Sequence, residues 1–95
     1  MPKAAYAVDE TESQRQLGRA LAALRAQTGI TQEQLAGRLG IDPTYVSQIE
    51  RGRRGVRWHT VLRFLAGLDA TVHQLADELD TEDGRPTDAQ LPPRG

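Results

Sequence analysis

Between residues 29 and 52 the sequence ends a helix and begins another at very short intervals. Gly29 can close a helix in the left-handed conformation that glycine adopts without a steric clash. Thr31-x-x-Gln34 then forms a capping box, in which each side chain satisfies the other residue's backbone N–H. Gly40 stops this second helix after about two turns. Asp42-Pro43 opens a third, because Asp accepts from the free N–H groups and Pro is preorganised for the first helical position. Gly52 ends that one. A stop and a start separated by little more than Ile41 force a sharp angle between two short helices, the arrangement of a helix-turn-helix unit.

The flanking sequence supplies further helices. Leu17, Ala20, Leu21 and Leu24 fall at i, i+3, i+4 and i+7, so a first helix is expected to start near Thr11 to Ser13 and run to Gly29. A fourth is expected from about Arg57 to Leu68, with Trp58, Val61, Leu62, Leu65 and Leu68 facing the core. Thr71-x-x-Gln74 is a second capping box, opening a fifth helix with Val72, Leu75, Ala76 and Leu79. That apolar set makes the fifth helix the expected dimer interface. The reading is all-α: a five-helix bundle over residues 12–79, a leader over 1–11, and a polar, Pro-containing acidic tail over 80–95 read as disordered.

Ninety-five residues suit one domain, and aromatics at 4% leave Leu, Ala, Val and Ile to build its core. The chain has no cysteine, which argues against a disulfide-stapled secreted domain and excludes thiolate zinc sites. No apolar run approaches the length of a signal peptide core or a membrane span, so a cytoplasmic location and no membrane partner are expected. His59 and His73 have no paired carboxylate or ligand spacing; both are read as surface residues, with no metal and no cofactor. There is no cysteine nucleophile, no Ser/His/Asp set and no glycine-rich phosphate loop, so no enzyme activity is expected.

The net charge of −1 hides a strong segregation. Residues 1–13 carry −2, residues 14–63 carry +6 and residues 64–95 carry −5. A basic middle between acidic ends is the footprint of a polyanion-binding face. Within that middle, Val46 and Ile49 are the inward residues of the third helix. Its polar face is then Thr44, Tyr45, Ser47, Gln48 and Arg51. Gln pairs bidentately with adenine, and Ser and Thr address several base edges, while flanking arginines bring affinity and register. Arg51 reads either as a contact residue or as a charge at the helix C-terminus, and Tyr45 either as a contact or as packing.

Thr-Gln-Glu-Gln-Leu-Ala at 31–36, Tyr-Val-Ser-Gln-Ile-Glu-Arg-Gly at 45–52 and Leu68-x-x-Thr71 together resemble the XRE type of helix-turn-helix proteins, relatives of the phage Cro and repressor domains. The resemblance covers about Gln14 to Leu79. It implies a phage-repressor-like fold whose third helix reads DNA. It places Gln32 at a phosphate contact, Thr44, Ser47 and Gln48 at base edges, and Tyr45 at a backbone or base contact. It puts Arg53 and Arg54 on a basic loop that grips phosphate, and Arg25 and Glu50 in an ion pair joining helix one to helix three. Val56 stands where the family often has Pro, and Asp69 where it often has Gly.

The function that follows is sequence-specific binding of double-stranded DNA by a transcription regulator, read as a repressor acting as a homodimer. An antitoxin with a toxin partner and a restriction-system controller use the same module at the same length. A protein-interaction module on the same fold is the remaining alternative, and the flanking arginines argue against it.

Overall fold

The structure is a computed structural model that describes residues 9–82. Five helices follow one another: α1 Glu10–Thr28, α2 Gln32–Leu39, α3 Pro43–Glu50, α4 Trp58–Leu68 and α5 Val72–Glu82. Among the described residues there is no strand. α1 is the spine, packing against α3, α4 and α5, while α2 packs against α3 and α4.

The local chemistry accounts for the helix ends. Asp9 accepts from the Glu12 N–H at 3.0 Å and caps α1, whose first turn also carries Glu10 and Glu12 against the positive end of the helix dipole. The helical unit therefore begins at Glu10, ahead of the boundary at residue 12 expected from apolar periodicity. Both capping boxes form: Thr31 with Gln34 at 2.8 and 3.0 Å, and Thr71 with Gln74 at 2.7 and 3.1 Å. Asp69 ends α4 in the left-handed region at φ 56°, a conformation Asp tolerates better than most residues. α5 continues to Glu82, past the expected boundary at 79. Residues 1–8 of the expected leader and 83–95 of the expected tail lie outside the described residues.

The core is wholly apolar among the described residues. Ala20, Leu21 and Leu24 of α1 meet Leu35 and Ala36 of α2, Val46 and Ile49 of α3, Val61, Phe64, Leu65 and Leu68 of α4, and Leu75 of α5. Two expectations are corrected here. Trp58 is 59% exposed and Leu62 41% exposed, whereas Phe64 is fully buried. The inward stripe of α4 is 61, 64, 65 and 68, an i, i+3, i+4, i+7 set. Trp58 sits in the opening turn of the helix, beyond that stripe, and Leu62 lies one residue, about 100°, off it. On α5, Leu75 is buried and Leu79 is half-buried against the same core, leaving Val72 and Ala76 as the outward apolar residues. The helix thus uses most of its apolar side to cover α1, and less remains for a second subunit than the sequence suggested.

α1 and α3 approach closely at Gly18. A Cβ there would overlap the carbonyl oxygen of Ile49. Gly18 is buried, and the missing side chain lets the backbone of α1 lie directly on the end of α3. Gly52 meets two demands at once: its φ is 73°, and a side chain would run into the backbone of Arg15.

Candidate nucleic-acid interface

The angle between α2 and α3 is built from backbone. Gly40 turns the chain at φ 69°, and the Ile41 N–H returns to the Ala36 carbonyl at 3.0 Å. Asp42 accepts from the Thr44 N–H at 2.7 Å. Ala36 and Val46 are buried where the helices meet, and Ile41 half-fills the angle. Burial of Val46 and Ile49 fixes the rotation of α3, so Thr44 is fully outward and Tyr45, Ser47 and Gln48 stand half-buried along the same side. Arg51, the C-cap residue, is exposed, with its N–H donating to Ser47 at 3.0 Å.

A polar network fastens both ends of this unit to α1. The Arg25 guanidinium donates through Nε to Glu50 Oε2 at 2.7 Å and through Nη2 to Glu50 Oε1 at 3.0 Å. Its Nη1 donates to the Ile30 carbonyl at 2.9 Å. Glu50 Oε1 also accepts from Gln32 Nε2 at 2.8 Å. One guanidinium therefore joins the last turn of α1, the loop before α2 and the last turn of α3. The hydrogen bond from Arg25 to Glu50 raises the arginine pKa above its ordinary value, with burial opposing it, so the guanidinium stays charged across the physiological range.

Gln32 is consequently not a free amide. Its side chain turns toward Glu50, and the groups at the start of α2 left without an acceptor among the described residues are the backbone N–H of Gln32 and Glu33.

The arginines of the basic middle divide by what they touch. Arg38 donates to the Gly67 carbonyl at 2.7 Å, and Arg63 donates to the Leu39 carbonyl, so α2 and α4 exchange arginines onto each other's C-terminal ends. Arg15 pairs with Glu12 on the surface of α1. Arg51, Arg53, Arg54 and Arg57 are exposed and pair with no carboxylate among the described residues. Arg51 caps α3 and Arg53 and Arg54 follow it in the adjoining loop, whereas Arg57 is the N-cap residue of α4. Arg54 lies over the Tyr45 ring, 4.8 Å from its centroid.

The expected site residues thus form one surface: Thr44, Tyr45, Ser47 and Gln48 on α3, with Arg51, Arg53 and Arg54 beside them. Gln32 belongs to the adjoining network through its side chain. Sequence reasoning missed Gly18, the Gln32–Glu50 bond, the Tyr45–Arg54 contact and the exchange of Arg38 and Arg63. Only Gly18 carried a signal, as a glycine inside a periodic helix. Among the described residues no group of His, Asp and Glu could hold a metal ion, and no helix is long and apolar enough to cross a membrane.

Two short helices at a backbone-defined angle, the second with a buried side and a polar outward side, make a helix-turn-helix unit. The family model described as a helix-turn-helix domain matches residues 16–79, and the chain belongs to that family. A relative, control protein C.MunI from Mycoplasma sp, is 34% identical over 58 residues, covering 61% of this chain and 78% of that protein. Among solved structures, the restriction-modification controller C.AhdI from Aeromonas hydrophila is 34% identical with a TM-score of 0.63, over 67% of this chain and 97% of that one. The clp gene regulator ClgR from Corynebacterium glutamicum is 32% identical with a TM-score of 0.68, over 72% of this chain and 87% of that one. The controller C.Esp1396I, as a tetramer with its natural 35-base-pair operator, is 27% identical with a TM-score of 0.63, over 70% of this chain and 92% of that one.

Proposed function

We propose that this protein is a transcription regulator that binds operator DNA as a homodimer, with α3 in the major groove. The observation that carries the reading is the outward face of α3. Thr44, Ser47 and Gln48 lie on one side of a helix whose other side is locked into the core, and the exposed Arg51, Arg53 and Arg54, without carboxylate partners among the described residues, adjoin its end. Side chains of this kind read base edges, and such arginines neutralise phosphate. Gln32 contributes at the backbone through the free N–H groups opening α2, while its side chain holds Glu50. One recognition helix spans too few base pairs for specificity, so two copies reading half-sites about 34 Å apart are expected.

Likeness to the control proteins C.MunI, C.AhdI and C.Esp1396I supports a finer assignment, the control of restriction-modification genes, with repression as the expected sign. Likeness to ClgR at comparable identity supports a second reading, regulation of other genes. The working location is cytoplasmic and the action non-catalytic. Selection of bound duplexes from a random pool tests the central assignment. Enrichment of a two-fold-related pair of half-sites is expected, and recovery of no preferred sequence would overturn it. Mapping the bound sites in the source genome separates the two finer readings, by whether they lie upstream of restriction-modification genes.

A further inference from the structure

Tyr45 and Arg54 belong to different elements and meet over the outward face of α3. Tyr45 lies in the first turn of that helix, half-buried and packed against the core. Arg54 lies in the loop that follows, exposed, with its guanidinium carbon 4.8 Å from the ring centroid. That loop is held at several points. The Arg53 N–H donates to the Gln48 carbonyl at 2.9 Å and the Gly52 N–H to the Ile49 carbonyl at 3.0 Å, and a side chain at Gly55 would crowd the amide of Gln14. The ring quadrupole attracts the cation, and no carboxylate among the described residues lies within ion-pair distance of it.

We propose that Arg54 is a positioning residue for Tyr45 and, through it, a determinant of base preference, in addition to the phosphate contact its location in a basic loop suggests. The inference rests on the assignment of α3 as the reading helix. Tyr45 adjoins Thr44 and precedes Ser47 and Gln48, so the rotamer of its ring shapes the surface those residues present. A cation above the ring restricts its orientation, and the loop bonds at Gly52 and Arg53 fix the backbone from which Arg54 reaches the ring. Planarity matters here: guanidinium stacks on an aromatic face and keeps its N–H fork for other acceptors, whereas an ammonium is a compact, strongly hydrated charge.

The test uses the full chain, the duplex selected by the wild type and its single-base-pair variants. Arg54→Lys keeps the charge and should keep the salt dependence of binding, yet lose discrimination at one or two base pairs by roughly two- to fivefold. Tyr45→Leu should lose the same discrimination, Tyr45→Phe should retain it, and the double change Tyr45→Leu with Arg54→Lys should lose no more than either alone. A second readout needs no DNA. The Arg54 Nε–H resonance should be displaced by the ring current in the free wild type and in Tyr45→Phe, and should return to an unstacked position in Tyr45→Leu. Equal weakening of all duplexes by Arg54→Lys, with preference unchanged, would overturn the proposal, as would an Arg54 resonance indifferent to Tyr45→Leu. A wild type that enriches no sequence removes the reading assignment as well, and that failure is distinguishable because it precedes any variant.

Discussion

Arg25 and Glu50, 25 positions apart, close a two-bond fork at 2.7 and 3.0 Å that ties the end of α1 to the last turn of α3. The carboxylate is nearly buried, with 5% of its side chain exposed against 19% for the arginine. Removing one partner strands the other in a poorly solvated place, whereas removing both does not. Arg25→Met should therefore cost about 3 kcal/mol, and the double change Arg25→Met with Glu50→Leu clearly less. Urea unfolding of the four members of the cycle measures this, and additive single effects would show that the pair does not interact.

Gly18 reverses the usual order of helix preference. Alanine in place of an interior glycine normally favours a helix by about 1 kcal/mol. At Gly18 the added methyl would overlap the Ile49 carbonyl, so Gly18→Ala should destabilise by about 1–3 kcal/mol. Gly37, also helical, has open space around its missing side chain, and Gly37→Ala should stabilise by about 0.5–1 kcal/mol. Thermal unfolding of both variants checks the opposed signs.

Of the two large aromatics of α4, Phe64 and not the expected Trp58 should carry the stability. Phe64→Ala empties a fully buried position and should cost about 3–5 kcal/mol. Trp58→Ala removes a mostly exposed ring and should change stability by no more than about 0.5 kcal/mol. A tryptophan substitution as damaging as the phenylalanine one would contradict the rotation of α4.

Gln48→Ala should cost roughly 1–3 kcal/mol on the preferred duplex and relax preference at one or two base pairs, with little change in stability. Arg53→Ala should instead weaken all duplexes alike and flatten the dependence of log K on log salt by about one unit. Titrations over a range of salt, on preferred and unrelated duplexes, separate the two behaviours. An unaltered preference in Gln48→Ala would remove that residue from base reading.

What the sequence revealed was mostly what is encoded locally. The capping boxes at Thr31/Gln34 and Thr71/Gln74 and the Asp42 cap join residues within three positions of one another, so their bonds follow from residue type and spacing. With those ends known, Val46 and Ile49 oriented α3 and separated Thr44, Ser47 and Gln48 from the core. The start of α1 is also encoded locally, in the Asp9 cap followed by Glu10 and Glu12, a signal that apolar spacing alone does not contain. The rotation of α4 was not legible, because sets built on Leu62 or on Phe64 both satisfy a helical period, and contact with the rest of the core decides between them. Charge counting placed Arg38 and Arg63 with the basic surface, whereas each binds a carbonyl across the α2–α4 contact. The bond from Gln32 to Glu50 and the approach of Arg54 to Tyr45 depend on side-chain geometry that no local pattern specifies.

The residues that hold α3 in place and those that stand outward from it are nearly separate sets. Val46, Ile49 and Glu50 fasten the helix, and Gly18, Gln32 and Arg25 receive it from other elements. Among the described residues the side chains of Thr44, Ser47 and Gln48 make no hydrogen bond in that attachment and lie outside the buried core. On the proposed reading of α3, a lineage of such proteins can therefore exchange one target sequence for another through a few substitutions that leave folding intact. Tyr45 is the exception, since its ring both packs inward and meets Arg54, and divergence at that position drags a second residue with it.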